Sequence, residues 1–174
     1  MAACSKGGAV DPAPANVPKL AVTSLAFAAN SEIPMEHTCQ GPDVAPPLQW
    51  SGAPANTQTF AVIVDDPDAP DPDAPKQTWV HWVVIDLPAT QTSLPRGGVA
   101  SLPGGATQGT NDFGKQAWGG PCPPIGRHRY FFKVYALDTR LGRPGLTKAE
   151  LLAAMKGHVL AEGELVGTYE KRKR

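Results

Sequence analysis

Residues 1–18 hold Gly, Ala and Pro with few large apolar side chains, and they read as a tether. From Leu20 the pattern changes. Residues 20–27 place apolar groups at strand spacing and predict a first strand, followed by a turn at residues 30–34. Residues 46–50 are held extended, because Pro46 and Pro47 each exclude the helical region for the residue before. Residues 59–64 are a continuous apolar, largely β-branched run, the pattern of a strand covered on both faces. Residues 79–87 and 128–137 are rich in aromatic and β-branched side chains and are bounded by Pro and Gly clusters, so they predict two further strands. One helix is signposted. Thr147, Lys148, Ala149 and Glu150 spell a capping box, Leu146 and Leu151 are placed as a hydrophobic staple, and Leu151, Leu152 and Met155 form an apolar stripe that Gly157 ends. Residues 159–169 predict a last strand with Gly163 and Gly167 as bulges.

Composition narrows the class. At 174 residues the chain is the size of one ordinary domain, taken as residues 19–170 with a basic tail at 171–174. Gly 18 and Pro 19 make up about a fifth of it, against roughly 12 % in average usage. That excess argues against a helical bundle, and the absence of a Gly-X-Y period excludes collagen. A mainly β, loop-rich domain remains. Lys plus Arg is 16 and Asp plus Glu is 16, so the chain lacks the basic excess of a sequence-independent nucleic-acid binder. No stretch approaches the roughly 18 apolar residues of a membrane-spanning helix.

The cysteines leave two compartments open. No Cys-x-x-Cys exists, which argues against a structural zinc site. Cys4 follows Met1, Ala2 and Ala3 and precedes a polar, flexible stretch, like the end of a bacterial lipoprotein signal. A chance cysteine in a leader is the plainer alternative. If Cys4 carries a lipid, the protein is an envelope lipoprotein in an oxidising compartment, and Cys39 would pair with Cys122. In the cytoplasm both would stay thiols.

Candidate chemistry gathers at strand ends. Five Asp fall between Asp65 and Asp73, and Asp66-Pro67-Asp68-Ala69-Pro70 is repeated at once as Asp71-Pro72-Asp73-Ala74-Pro75. This predicts a rigid acidic loop between two buried strands. Period two puts Trp79 with His81 on one face, and His128 with Tyr130 on one face. If the three strong strands are neighbours, Asp66, Asp68, His81 and His128 form one cluster. A carboxylate beside an imidazole favours the protonated ring, which then donates from both nitrogens and suits an anion such as phosphate. A remaining carboxylate would take an ammonium group. The loop from Gly119 to Pro124 is rich enough in Gly and Pro to bring backbone N–H groups to a ligand. His37 and His158 have no such acidic neighbours in sequence and read as structural, as Trp50 and Trp82 read as packing.

In order along the chain, Thr38-Cys39-Gln40-Gly41-Pro42-Asp43, Pro46-Pro47-Leu48-Gln49-Trp50, Asp66-Pro67-Asp68-Ala69-Pro70, His81, Asn111-Asp112-Phe113-Gly114, Gly120-Pro121, His128-Arg129-Tyr130 and Gly157-His158-Val159-Leu160-Ala161 resemble the phosphatidylethanolamine-binding protein family, in its bacterial and archaeal Raf-kinase-inhibitor-like branch. The resemblance spans residues 20–169. It implies a large central antiparallel sheet packed with a smaller sheet, few peripheral helices, and a small pocket for anions and phosphorylated head groups. Carried over by position, Asp66 and Asp68 are the pocket carboxylates and His81 and His128 its imidazoles. Pro70, Trp79, Gly120 and Pro121 line it, with Tyr130 nearby. Two features depart from the family's pattern. Eukaryotic members carry a further C-terminal helix over the pocket, whereas only residues 170–174 follow the last strand here. The acidic loop is also duplicated, and Asp71 and Asp73 weaken the case for a free polyanion at the rim.

The function implied is a non-enzymatic binding protein, without cofactor, for a small anionic or phosphorylated ligand, with a regulatory role of the kinase- or protease-inhibitor kind. One alternative is a regulator acting through its protein surface. Another is a metal-dependent hydrolase using two Asp and two His, against which stand the missing His-Glu-x-x-His and Gly-x-Ser-x-Gly motifs. The expected partners are that ligand, a protein in the regulatory alternative, and a second copy of the chain as a homodimer. Nucleic acid is not expected, and a membrane only through a lipid on Cys4.

Overall fold

A strand whose side chains are apolar at every position needs cover on both faces, and the fold supplies it. The computed structural model describes residues 16–98 and 103–173, so Cys4 and most of the expected tether lie outside the described residues. The strands are β1 (Ala21–Thr23), β2 (Leu48–Ser51), β3 (Thr59–Ala69), β4 (Gln77–Pro88), β5 (Ser93–Leu94), β6 (Thr107–Gln108), β7 (Arg127–Leu137) and β8 (Val159–Glu170), with helix α1 (Lys148–Met155) before the last. A five-stranded sheet runs β6-β4-β3-β7-β8 and a three-stranded sheet runs β1-β2-β5. Every pairing within them is antiparallel. This is the large and small sheet arrangement that the family resemblance implies.

Alternation along β3 builds two cores. Phe60, Val62 and Val64 face the small sheet and pack with Leu48, Trp50 and Leu94. Ala61 and Ile63 face the other way, under Leu146, Leu151 and Met155 of α1 and its approach. The capping box forms as its spelling predicts. The Thr147 side chain accepts from the Glu150 N–H, and Glu150 accepts from the Thr147 N–H at 2.9 Å. Among the described residues no helix is long and apolar enough to cross a membrane.

Three local expectations are corrected. The first strand is short, because the Ser24 hydroxyl donates to the Pro47 carbonyl at 2.6 Å and accepts from the Ala26 N–H at 3.1 Å, turning the chain out of the ladder. Strand β3 does not end at residue 64 but runs through the acidic segment to Ala69. Pro67 is tolerated there because the register shifts between Asp66 and Ala69, so no ladder bond is asked of it. Gly163 and Gly167 make no bulge, since the β7–β8 register is regular through both and shifts only at Ala136/Leu137. They are glycine because other chain approaches closely. A Cβ on Gly167 would lie 2.6 Å from Ile33 and 2.7 Å from Phe27, and one on Gly163 would collide with the Leu20 backbone.

Candidate functional site

On β7, alternate residues Phe132, Tyr130 and His128 face the small sheet, and the last two carry polar groups to the edge of that core. Strand β3 pairs with β7 only as far as Asp65 and Phe131, so Asp66 is the next residue at that edge. Its Oδ2 lies 2.7 Å from His128 Nδ1, and its Oδ1 accepts from the Asp68 N–H at 2.8 Å. His128 Nε2 donates to the Ile125 carbonyl at 2.9 Å. A carbonyl only accepts, so Nε2 carries a hydrogen, and one proton is shared between Nδ1 and Asp66. Burial raises the Asp66 pKa, against the His128 hydrogen bond that lowers it. Both oxygens of Asp66 and both nitrogens of His128 are therefore spent within the fold.

His81 reaches this edge by a register slip. Val64 pairs with Trp82 and Asp65 with Val80, which leaves His81 as the extra residue of a bulge. A bulge re-aims the side chain it carries. The ring sits edge-on to Tyr130, with centroids 5.2 Å apart, and edge-on to Phe113 at 5.6 Å. Nδ1 donates to the Gly119 carbonyl. Burial lowers the His81 pKa to about 4, so the ring is neutral near pH 7 and Nε2 is a bare acceptor. Tyr130 is 1 % exposed and stacks on His128, with centroids 6.4 Å apart and 19° between planes. Its buried hydroxyl has no hydrogen-bond partner among the described residues. Burial raises its pKa, and Asp66 and Asp68 push the same way, so the phenol keeps its proton.

The Gly-Pro loop does a different job from the one expected. The Gly119 N–H donates to the His81 carbonyl at 3.0 Å, and the Gly120 N–H donates to Asp43 Oδ1 at 2.9 Å. Neither amide is left to cradle a ligand. Gly120 is needed because a Cβ there would collide with Asp43 and with the His37 carbonyl. The Cys39 N–H donates to the Pro121 carbonyl at 3.1 Å, and Cys39 and Cys122 are joined as a disulfide, the oxidised of the two states left open. The loop is thus a brace that aims the carbonyls of Gly119 and Ile125 at the two imidazoles.

Of the other residues expected here, Asp68 is closed in an ion pair. Its Oδ2 accepts from Arg129 Nε and from the Arg129 backbone N–H, both at 2.9 Å, and its Oδ1 accepts from Nη2 at 2.8 Å. Arg129 holds the Asp68 carboxyl below its ordinary pKa. Trp79 is half-buried and meets Phe113 edge-on at 5.4 Å. Pro70 follows a cis peptide bond where the strand gives way to the acidic loop, and Pro121 is buried. In that loop Asp71 Oδ1 accepts from the Asp73 N–H at 2.9 Å. The expected pair of protonated imidazoles, each free to donate twice to an anion, is not what forms. His81 is neutral, His128 is fully engaged, and neither carboxylate is left for an ammonium group. His158, read as lacking an acidic neighbour, pairs with Asp138 at 2.7 Å, away from this cluster. His37 is buried, with Nδ1 2.9 Å from the Val44 carbonyl.

Sequence reasoning assigned no role to Asn111, Phe113 or Asp43. Asn111 Nδ2 donates to the carbonyls of His81 at 3.2 Å and Ala117 at 2.8 Å, while its Oδ1 accepts from the N–H groups of Phe113 and Lys115. Burial raises the Asp43 pKa. The signal was the Asn-Asp-Phe-Gly turn spelling, which names a loop but not the strand it grips. Across the brace, a groove of about 1260 Å³ is lined by Met35, Ile125, the disulfide, Lys171 and Lys173. The basic tail forms one wall because the Gln40 amide accepts from the Arg172 N–H at 2.7 Å and donates to the Arg172 carbonyl at 2.9 Å. Among the described residues no three His, Cys, Asp or Glu side chains are grouped to hold a metal.

Residues 23–170 match the family model described as phosphatidylethanolamine-binding protein. A UPF0098 protein of Methanothermobacter thermautotrophicus is 45 % identical over 149 residues, which is 84 % of this chain and 95 % of that protein. The crystal structure of the PEBP homolog CT736 from Chlamydia trachomatis superposes with a TM-score of 0.81 at 41 % identity, covering 88 % of this chain and 99 % of that one. Escherichia coli YbcL, described as a member of the mammalian PEBP family, gives 0.79 at 36 % identity with the same coverage. The carboxypeptidase Y inhibitor, solved with its cognate proteinase, shares the fold at 20 % identity and a TM-score of 0.57, over 89 % of this chain and 85 % of its own. With the match running through both sheets and the strand-end cluster alike, the chain belongs to the phosphatidylethanolamine-binding protein family.

Proposed function

We propose that this chain is a non-enzymatic binding protein whose pocket takes a small phosphorylated head group at the strand ends. One observation carries the proposal. Among Asp66, His81, His128 and Tyr130, the Tyr130 hydroxyl is the side-chain polar atom left buried without a partner among the described residues, next to His81, whose Nδ1 is held by the Gly119 carbonyl. The two rings are adjacent. A buried polar atom without a partner costs free energy, and a ligand that engages it recovers that cost. Phe113 and Trp79 flank the spot with aromatic surface, which keeps water from competing. The test is an NMR titration with inorganic phosphate, following the imidazole signals of His81 and His128. Both sets are expected to move, and Tyr130→Phe to weaken the effect. Unchanged spectra at millimolar phosphate would overturn the proposal.

The second reading, regulation of a partner protein through the surface, is favoured by the acidic loop beside the brace, where Pro72 packs on Gly126. A captured partner lost on Asp71→Ala with Asp73→Ala, with the phosphate titration unchanged, would support it.

A further inference from the structure

The disulfide that holds the brace lies on the surface. Cys39 and Cys122 are both exposed, and both line the groove beside the basic tail. A disulfide that solvent reaches is open to attack by a thiolate, whereas one inside a core reacts only on unfolding. The groove is also charged. Among the described residues its ionic lining is Lys171, Arg172 and Lys173 against one carboxylate, Glu170. Glu170 pairs with Arg127 at 3.5 Å, and Arg172 with Glu32 at 3.2 Å. Lys171 and Lys173 are exposed and make no ion pair among the described residues. Their field draws in an anionic thiol and stabilises the cysteine thiolate that leaves.

We propose that the Cys39–Cys122 bond is a modification site, opened in the folded protein by small thiols that carry a carboxylate or sulfonate. The incoming thiolate attacks one cysteine sulfur, and the S–S bond breaks. The other cysteine leaves as a thiolate and takes up the proton that the incoming thiol gave to solvent. The product is a mixed disulfide in the groove. A second thiolate attacks the incoming sulfur of that bond, frees the remaining cysteine and departs as an oxidised pair. Two electrons pass from two thiols to the protein.

Opening reaches the strand ends through one ring more than the other. The braced loop supplies the Gly119 carbonyl to His81 Nδ1 and the Ile125 carbonyl to His128 Nε2. Two hydrogen bonds still tie the loop once the disulfide is open: the Cys39 N–H to the Pro121 carbonyl, and the Gly120 N–H to Asp43. Gly119 lies on the tied side. Ile125 lies beyond Cys122, so its carbonyl loosens from His128 while the His81 contact stays. The inference does not depend on what the strand ends bind.

The test uses 2-mercaptoethanesulfonate and 2-mercaptoethanol, an anionic and a neutral thiol of similar size, on the full chain carrying Cys4→Ser. Opening is read by mass spectrometry as alkylated cysteines. The rate should rise in proportion to thiol. Per thiolate, the sulfonate should react roughly three- to tenfold faster at low salt, with the gap closing at about 1 M salt. Lys171→Gln with Lys173→Gln should bring that ratio close to one. In the opened protein, NMR should show the His128 Nε2 hydrogen exchanging with water roughly tenfold faster or more, with the His81 Nδ1 hydrogen unchanged. Cys39→Ser with Cys122→Ser should reproduce this difference, and thiol-opened wild type carries the test if that variant folds poorly. A rate independent of thiol concentration, set by unfolding, would overturn the site. Equal rates for the two thiols, or a ratio untouched by the lysine substitutions, would overturn the role of the groove. Unchanged His128 exchange in opened, folded protein would overturn the link to the strand ends.

Discussion

Replacing Tyr130 with Phe separates what the hydroxyl does for the fold from what it does for a ligand, because the two effects have opposite signs. The ring makes the packing contacts: it stacks on His128, meets His81 edge-on and belongs to the core between the sheets. Phenylalanine keeps all of these. The hydroxyl is fully buried and makes no hydrogen bond within the fold, so the native state carries its desolvation cost of about 1–3 kcal/mol with no return. Tyr130→Phe should therefore stabilise the ligand-free protein by about 1–2 kcal/mol. For a domain of this size that is a rise in Tm of roughly 2–8 °C. With saturating methyl phosphate the gain should shrink or reverse, since bound ligand stabilises the native state in proportion to its affinity and the variant has lost a donor. Thermal unfolding followed by circular dichroism, with and without ligand, gives both numbers. A variant that melts below the wild type in the absence of ligand would refute the reasoning, because it would mean that the hydroxyl is satisfied in solution.

His81 predicts a pH dependence of stability. Its pKa falls from 6.5 to about 4 on folding, so between those values the unfolded chain takes up a proton that the native ring refuses. Stability therefore drops as pH falls through that window, by about 3 kcal/mol at completion. Urea unfolding of wild type and His81→Asn at pH 7 and pH 4 should show a smaller acid loss in the variant, and equal losses would count against burial of a neutral ring. The disulfide closes a chain separation of 83 residues. Replacing Cys39 and Cys122 together with Ser should cost up to about 4.5 kcal/mol by loop entropy, read as a lower urea midpoint, and an unchanged midpoint would contradict it.

Local signals were legible wherever neighbours in sequence are neighbours in space. The capping box at Thr147 and Glu150, the apolar run that became the middle of β3, and the shared face of His128 and Tyr130 all follow from periodicity and from contacts a few residues apart. The resemblance carried the two-sheet fold and the grouping of Asp66, His81, His128 and Tyr130. What stayed hidden lies at long range. Gly120 and Asp43 are 77 residues apart, and Asp68 and Arg129 are 61 apart. Asp-Asp-Pro reads locally as a turn, and only pairing with β4 carries the strand through it.

The sequence by itself determined the alternation that gives β3 two buried faces, the place where the helix starts, and the stock of carboxylates, imidazoles and phenol at the strand ends. Tertiary structure decided which of those groups are spent and which remain. A one-residue slip in β4 turns His81 toward Tyr130, and a disulfide-braced loop supplies its partner carbonyl. Burial then makes that ring neutral. Hydrogen-bond partners depend on register between distant segments, and protonation depends on how completely water is excluded, so neither is written in the order of residues along the chain.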